Sequence, residues 1–126
     1  MDNQVKRILI IDDEEAVQKI LISKLSGAGF EPLSAMDGKE GLKATKKERP
    51  DLILLDIVMP VMDGISYLKE LKKDPEVKDI PILILTNLAS DEMVQKSLEQ
   101  GVTDYLVKAD YTLDELVEKI NEKLNL

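Results

Sequence analysis

Asp51-Leu-Ile-Leu-Leu-Asp56 is the stretch whose reading decides the fold. It is an apolar run of strand length that ends on a carboxylate. Ile57-Val58-Met59-Pro60 follows, and the proline stops the strand from continuing. An acid where a buried strand runs out is either a helix cap or a reactive group. The flanking sequence decides between them.

Four similar runs surround it. Ile8-Leu-Ile-Ile11 lies within a strand from Val5 to Ile11 that reads as buried on both faces. Phe30 to Ala35 is a weaker strand, broken by Pro32 and placed near a sheet edge. Ile80 to Leu85 is a fourth strand, ending at Thr86, and Val102 to Val107 a fifth, ending at Lys108. Helical spacing fills the intervals. Val17, Ile20, Leu21, Leu25 and Ala28 form one apolar stripe, closed by Gly27 and Gly29. Asp37 to Glu40 has capping-box spacing ahead of a helix reaching about Glu48, which Pro50 ends. Asp63-Gly64 opens a helix carrying Ile65, Leu68 and Leu71. Ser90 is placed to cap a helix carrying Met93, Val94, Ser97 and Leu98, with Gly101 at its end. Thr112 to Glu115 is a second capping box, before a helix expected to bury Leu113, Leu116, Val117, Ile120 and Leu124.

Strand and helix alternate strictly, with no linker or low-complexity segment. That predicts one α/β domain over residues 1–126, a doubly wound five-stranded parallel sheet with helices on both faces. Such sheets bind ligands at the carboxyl ends of their strands, where strand order reverses.

Composition narrows the chemistry. The 126 residues are 44% apolar, 33% charged and only 3% aromatic, so Ile, Leu and Val must fill the core. A formal charge of −8 argues against direct nucleic-acid binding and against anionic membranes. There is no cysteine, which excludes disulfides and thiolate metal sites, and no histidine, which removes the usual general base. No apolar run approaches the roughly 20 residues of a membrane span, and the N-terminus turns into a short strand rather than a leader. A cytoplasmic protein is the expectation.

At the carboxyl edge of such a sheet the strand ends deliver Asp12 and Asp13, Asp56, Thr86 and Lys108. Each has a plain alternative. Asp12 with Glu15 has capping-box spacing, Asp56 can be a loop acid held by backbone amides, Thr86 a turn hydroxyl and Lys108 a solvated cation. Their convergence from separate strands is harder to explain that way. Three carboxylates held together repel one another, and a divalent cation relieves the repulsion. All-oxygen ligands, few of them from protein, suit Mg²⁺. An aspartate beside Mg²⁺ can attack phosphorus and form an acyl phosphate. Phosphoryl transfer needs in-line positioning and charge neutralisation rather than a general base, which suits a chain without histidine. With the fifth strand two positions from the third, the gap is roughly 10 Å. A lysine stem closes most of it, and Thr86 lies one strand away.

Asp12-Asp13, Leu55-Asp56, Met59-Pro60-Val61-Met62-Asp63-Gly64, Leu85-Thr86 and Tyr105-Leu-Val-Lys108, in this order and on these elements, resemble the receiver domain of two-component response regulators, in its single-domain chemotaxis-type form. The resemblance spans essentially the whole chain. It implies a flavodoxin-like fold with strand order 2-1-3-4-5 and a role as a phosphoacceptor switch rather than an enzyme acting on outside substrates. It implies that Asp56 takes a phosphoryl group from a histidine kinase or phosphotransfer protein. Asp13, Asp56 and the backbone carbonyl of Val58 would ligate Mg²⁺, and Asp12 would act mostly through a metal-bound water. Lys108 would pair with the phosphoryl group, Thr86 would move to bond it, and Tyr105 would swing inward behind it. The output surface would be the fourth helix, fifth strand and last helix, met by an unspecified protein partner. The chain closes on its last helix, so a stand-alone receiver or one excised from a longer regulator is expected.

Two positions depart from the family pattern. Ala109 stands where proline usually follows the lysine, and Asn87 where a small residue usually follows the threonine. Val58 and Leu88, at family positions flanking the phosphoryl group, are apolar and unable to orient an attacking water, so slow self-dephosphorylation is expected. Two rivals remain. One is a receiver-like module that binds partners without phosphorylation. The other is a Mg²⁺-dependent phosphatase, which usually needs a second acid two residues after its nucleophile, where this chain has Val58.

Overall fold

In a computed structural model of the chain, which describes residues 5–57, 59, 61–86, 91–102, 104–107 and 110–126, strands and helices alternate throughout. The order is β1 (Arg7–Ile11), α1 (Glu15–Gly27), β2 (Glu31–Ala35), α2 (Gly38–Glu48), β3 (Leu52–Leu55), α3 (Gly64–Lys72), β4 (Ile82–Thr86), α4 (Asp91–Glu99), β5 (Tyr105–Val107) and α5 (Leu113–Leu124). The strands form one parallel sheet in the order β2-β1-β3-β4-β5, as expected.

Two apolar layers follow from the strand alternation. Ile8, Ile10, Leu52, Leu54, Leu83 and Leu85 pack with Leu21 and Leu25 of α1 and with Leu116 and Ile120 of α5. Leu9, Ile11, Ile53, Leu55 and Ile84 face the other way, onto Ile65, Leu68 and Leu71 of α3, with Leu42 and Ala44 of α2 beside them. The aliphatic runs are uninterrupted because both faces of the sheet are covered.

Several local expectations are corrected. β4 begins at Ile82 rather than Ile80, and β5 at Tyr105 rather than Val102, although Val102 is buried in the core. Ile20 and Leu98 are 53% and 46% exposed, so neither belongs to the buried stripe of its helix. The Asp12–Glu15 capping box does not form. α1 starts at Glu15 with Glu14 as N-cap and no side-chain capping bond. The Thr112–Glu115 box is reciprocal, Glu115 N–H donating to Thr112 Oγ1 at 3.1 Å and Thr112 N–H to Glu115 Oε1 at 2.8 Å. At α2 only half of the expected box is made. Asp37 Oδ1 accepts from Glu40 N–H, while the Glu40 carboxylate turns to Met36 N–H.

At the amino-terminal edge of the sheet Arg7 gathers three elements. Its guanidinium donates to Glu48 Oε1 at 2.5 Å, to the Glu48 carbonyl at 2.7 Å and to Glu31 Oε2 at 3.3 Å. The bond to Glu48 raises its pKa above the ordinary value. The strand ends that carry the expected site residues lie at the opposite edge.

Candidate functional site

The register of β1 and β3 builds the site. Ile11 pairs with Leu55, so the next residues, Asp12 and Asp56, leave the sheet side by side and with the same facing. The backbone continues the ladder for one more step. Asp56 N–H donates to the Ile11 carbonyl at 2.9 Å, and Asp12 N–H to the Ala35 carbonyl at 3.1 Å. Asp12 and Asp56 are only 2% and 5% exposed. Asp12 Oδ1 accepts the Glu14 N–H at 2.9 Å, an Asx turn that replaces the expected cap and folds the acidic segment back over the strand ends.

One carboxylate oxygen from each of Asp12, Asp13, Glu14 and Asp56 lies within 4.8 Å of the others. Asp12 and Asp56 are buried, while Asp13 and Glu14 are open to solvent. At that separation two buried carboxylates repel by about 3.5 kcal/mol at an effective dielectric of about 20. The donor set suits a hard divalent cation that keeps waters on its open side. Glu14 was not among the expected ligands. Its one sequence signal is its place beside Asp13.

Three more residues shape the pocket without having been singled out for it. Gln18 of α1 is 3% exposed, and its Nε2 reaches the carbonyls of Ile10, Asp12 and Ala35 at 3.1, 3.1 and 2.9 Å. Gly64 does more than open α3, the whole role expected for Asp63-Gly64. Its N–H donates to the Ile57 carbonyl at 2.7 Å. A Cβ there would sit 2.6 Å from Ile57 Cα and 2.8 Å from the Asp56 carbonyl oxygen. Asp63 does cap α3, accepting from Ser66 N–H at 2.8 Å. Gly38, at the start of α2, donates to the Met62 carbonyl at 3.1 Å, and a Cβ on it would lie 2.3 Å from that oxygen. The segment after Asp56 is thus held at both Ile57 and Met62. Between these anchors Val61 takes a left-handed φ of 68°.

The remaining candidates divide by position. Thr86 closes β4 and pairs with Val107, the last residue of β5, so its backbone stands at the expected edge. Tyr105 pairs with Ile84 at the sheet margin and is 42% exposed. Val58, Asn87, Leu88, Ser90, Lys108 and Ala109 lie outside the described residues.

The model of the response regulator receiver domain family matches residues 8–121. This chain belongs to that family. Receiver domains work in two-component signalling, and the parallel sheet with carboxylates at its carboxyl edge is in keeping with that role. The receiver is 42% identical over 105 residues to a probable transcriptional regulator ycf27 of Porphyridium aerugineum, covering 83% of this chain and 42% of the relative. It is 42% identical over 105 residues to the alkaline phosphatase synthesis transcriptional regulatory protein PhoP of Bacillus subtilis, covering 82% and 42%. The chain therefore spans less than half the length of these curated relatives. Among solved structures it resembles a CheY-like response regulator receiver domain protein from Methanospirillum hungatei, at 34% identity and a TM-score of 0.89, covering 97% of this chain and 95% of that one. Among the described residues no helix is long and apolar enough to cross a membrane.

Proposed function

We propose that this receiver is a phosphorylation-dependent switch in which Asp56 accepts a phosphoryl group from a phosphohistidine of a histidine kinase or phosphotransfer protein. The observation that carries this is Asp56 itself. It is a buried carboxylate at the end of a central strand, in reach of three other acids from a second strand end. An Asp56 oxygen forms the new P–O bond, and the P–N bond to the donor histidine breaks. Asp13, Asp56 and the Val58 carbonyl are the ligands we assign to Mg²⁺, with Asp12 acting mostly through a metal-bound water. Bound there, Mg²⁺ supplies the charge neutralisation that lets a carboxylate approach a phosphoryl group. Lys108, next in sequence to Val107, supplies a further cation, and Thr86 a hydroxyl donor.

The new charge at Asp56 biases a two-state equilibrium. Its output surface is α4, β5 and α5, because Thr86 and Tyr105 adjoin those elements, and a protein partner reads it. Its chemistry is confined to its own aspartate, and it works in the cytoplasm. With Val58 and Leu88 apolar, phosphate loss is slow; a half-life of seconds for the purified phosphoprotein would count against that. Incubation with a small acyl phosphate and Mg²⁺ tests the whole proposal. A mass gain of one phosphoryl group, absent in Asp56→Asn, is expected, and no gain would leave a constitutive binding module.

A further inference from the structure

We propose that Gln18 is a positioning residue of the acidic pocket, holding the Asp12–Asp13 peptide in the orientation that aims both carboxylates at one cation. Gln18 sits in the first turn and a half of α1, where a side chain points back toward the helix start. That direction carries its amide under the strand ends. Its Nε2 lies 3.1 Å from the Ile10 carbonyl, 3.1 Å from the Asp12 carbonyl and 2.9 Å from the Ala35 carbonyl. Two N–H groups are thus shared among three acceptors, which lie at or just past the carboxyl ends of β1 and β2.

The bond to Asp12 matters most. The Asp12 carbonyl and the Asp13 nitrogen belong to one planar peptide, so fixing the oxygen fixes the path to the Asp13 Cα. The peptide before Asp12 is fixed as well, since Asp12 N–H donates to the same Ala35 carbonyl that Gln18 uses. Asp12 is therefore held on both sides, and its neighbour inherits the geometry.

A second observation sets Gln18 apart from an ordinary buried amide. Its Oε1 is fully buried and has no hydrogen-bond partner among the described residues. The amide cannot turn to relieve this, because the oxygen would then face three carbonyl oxygens. A buried acceptor without a partner is costly. An apolar side chain of similar volume would avoid that cost, and would leave the Asp12 carbonyl unclamped. Groups that orient metal ligands without touching the metal typically change metal affinity 10–100-fold when removed.

The inference builds on the metal site proposed above, so the test reads metal binding and needs no phosphorylation. Mn²⁺ serves as the probe, an oxygen-seeking octahedral ion whose free form gives a spin-resonance signal. The parent chain is compared with Gln18→Met, which loses the donor, Gln18→Asn, whose amide is one methylene short of the carbonyls, and Thr45→Val, a buried polar change at a hydroxyl bonded to Gly41 and Tyr67 rather than to the acids. Gln18→Met and Gln18→Asn should each bind Mn²⁺ about tenfold more weakly. Thr45→Val should stay within twofold of the parent even though it is less stable to urea. Binding within twofold in either folded Gln18 variant would overturn the inference. An equal loss in Thr45→Val would also overturn it, by tracing the effect to stability alone. If the natural chain binds no Mn²⁺, the metal site and the inference fall together.

Discussion

Gly64→Ala places one methyl group against the backbone that carries Asp56, the proposed phosphoacceptor. The added Cβ would lie 2.6 Å from Ile57 Cα, where ordinary contact begins at 3.4 Å, so the two backbones must separate by about 0.8 Å. Neither side is a flexible side chain. Ile57 is 3% exposed, and its carbonyl already accepts the Gly64 N–H at 2.7 Å, a bond that any separation lengthens. Overpacking of this kind costs about 1–3 kcal/mol. The displaced residue adjoins Asp56, and a misplacement near 1 Å at a reacting group can slow a reaction about 100-fold. Gly27→Ala is the matched control. Gly27 is the last residue of α1, with nothing within 4 Å of its new Cβ, so the change should be neutral or gain less than the roughly 0.5–1 kcal/mol of a mid-helix Gly→Ala change. Urea unfolding followed by far-ultraviolet dichroism gives the stabilities, and the rate of phosphorylation by a small acyl phosphate with Mg²⁺ gives the effect on the site. A Gly64→Ala protein as stable as the parent and phosphorylated at the same rate would refute the reasoning.

Three other perturbations have definite expected outcomes. Val61, at φ 68° and 79% exposed, carries backbone strain with little packing to lose, so Val61→Gly should stabilise the fold by about 1 kcal/mol in urea. The buried Tyr67 hydroxyl lies 2.6 Å from Thr45 Oγ1, which also reaches the Gly41 carbonyl at 2.7 Å. Thr45→Val strands the buried phenol and should cost about 1–3 kcal/mol, Tyr67→Phe only about 1, and the double variant less than their sum. Asp104 is held below its ordinary pKa of 3.8, chiefly by its hydrogen bond from Lys123, with Lys119 adding to the effect. Because the folded pKa is the lower one, its stabilisation is complete above pH about 4 and fades as pH falls through the folded value. The stability difference between parent and Asp104→Asn should therefore shrink in acid.

Much of this architecture was legible because the core is aliphatic and the sheet is covered on both faces. Ile8–Ile11 and Leu52–Leu55 are short aliphatic runs that read as buried strands, and alternation with helices points to parallel pairing. Once β1 and β3 pair, adjacency of Asp12 and Asp56 needs no further information. What escaped sequence reading depends on packing rather than pattern. The buried face of α1 runs through Gln18, Leu21 and Leu25, with Ile20 left exposed. Hydropathy favours isoleucine over glutamine for that face, because the three carbonyls that accept from the Gln18 amide are brought to it only by the folded strand ends. Glu14 and the close approach of Gly64 to Ile57 were hidden for the same reason. A turn and a tertiary contact, rather than a period, place them.

Four carboxylates from two strand ends make up the pocket in which Asp56 is proposed to react with Mg²⁺ bound. The direct measurement is to phosphorylate the natural chain with a small acyl phosphate, with and without Mg²⁺, reduce the acyl phosphate with borohydride, and map the modified residue by peptide mass. Modification at Asp56 alone, and only when Mg²⁺ is present, is the predicted result. Modification spread over Asp12, Asp13 or Asp37, or the same yield at Asp56 without the metal, would contradict it.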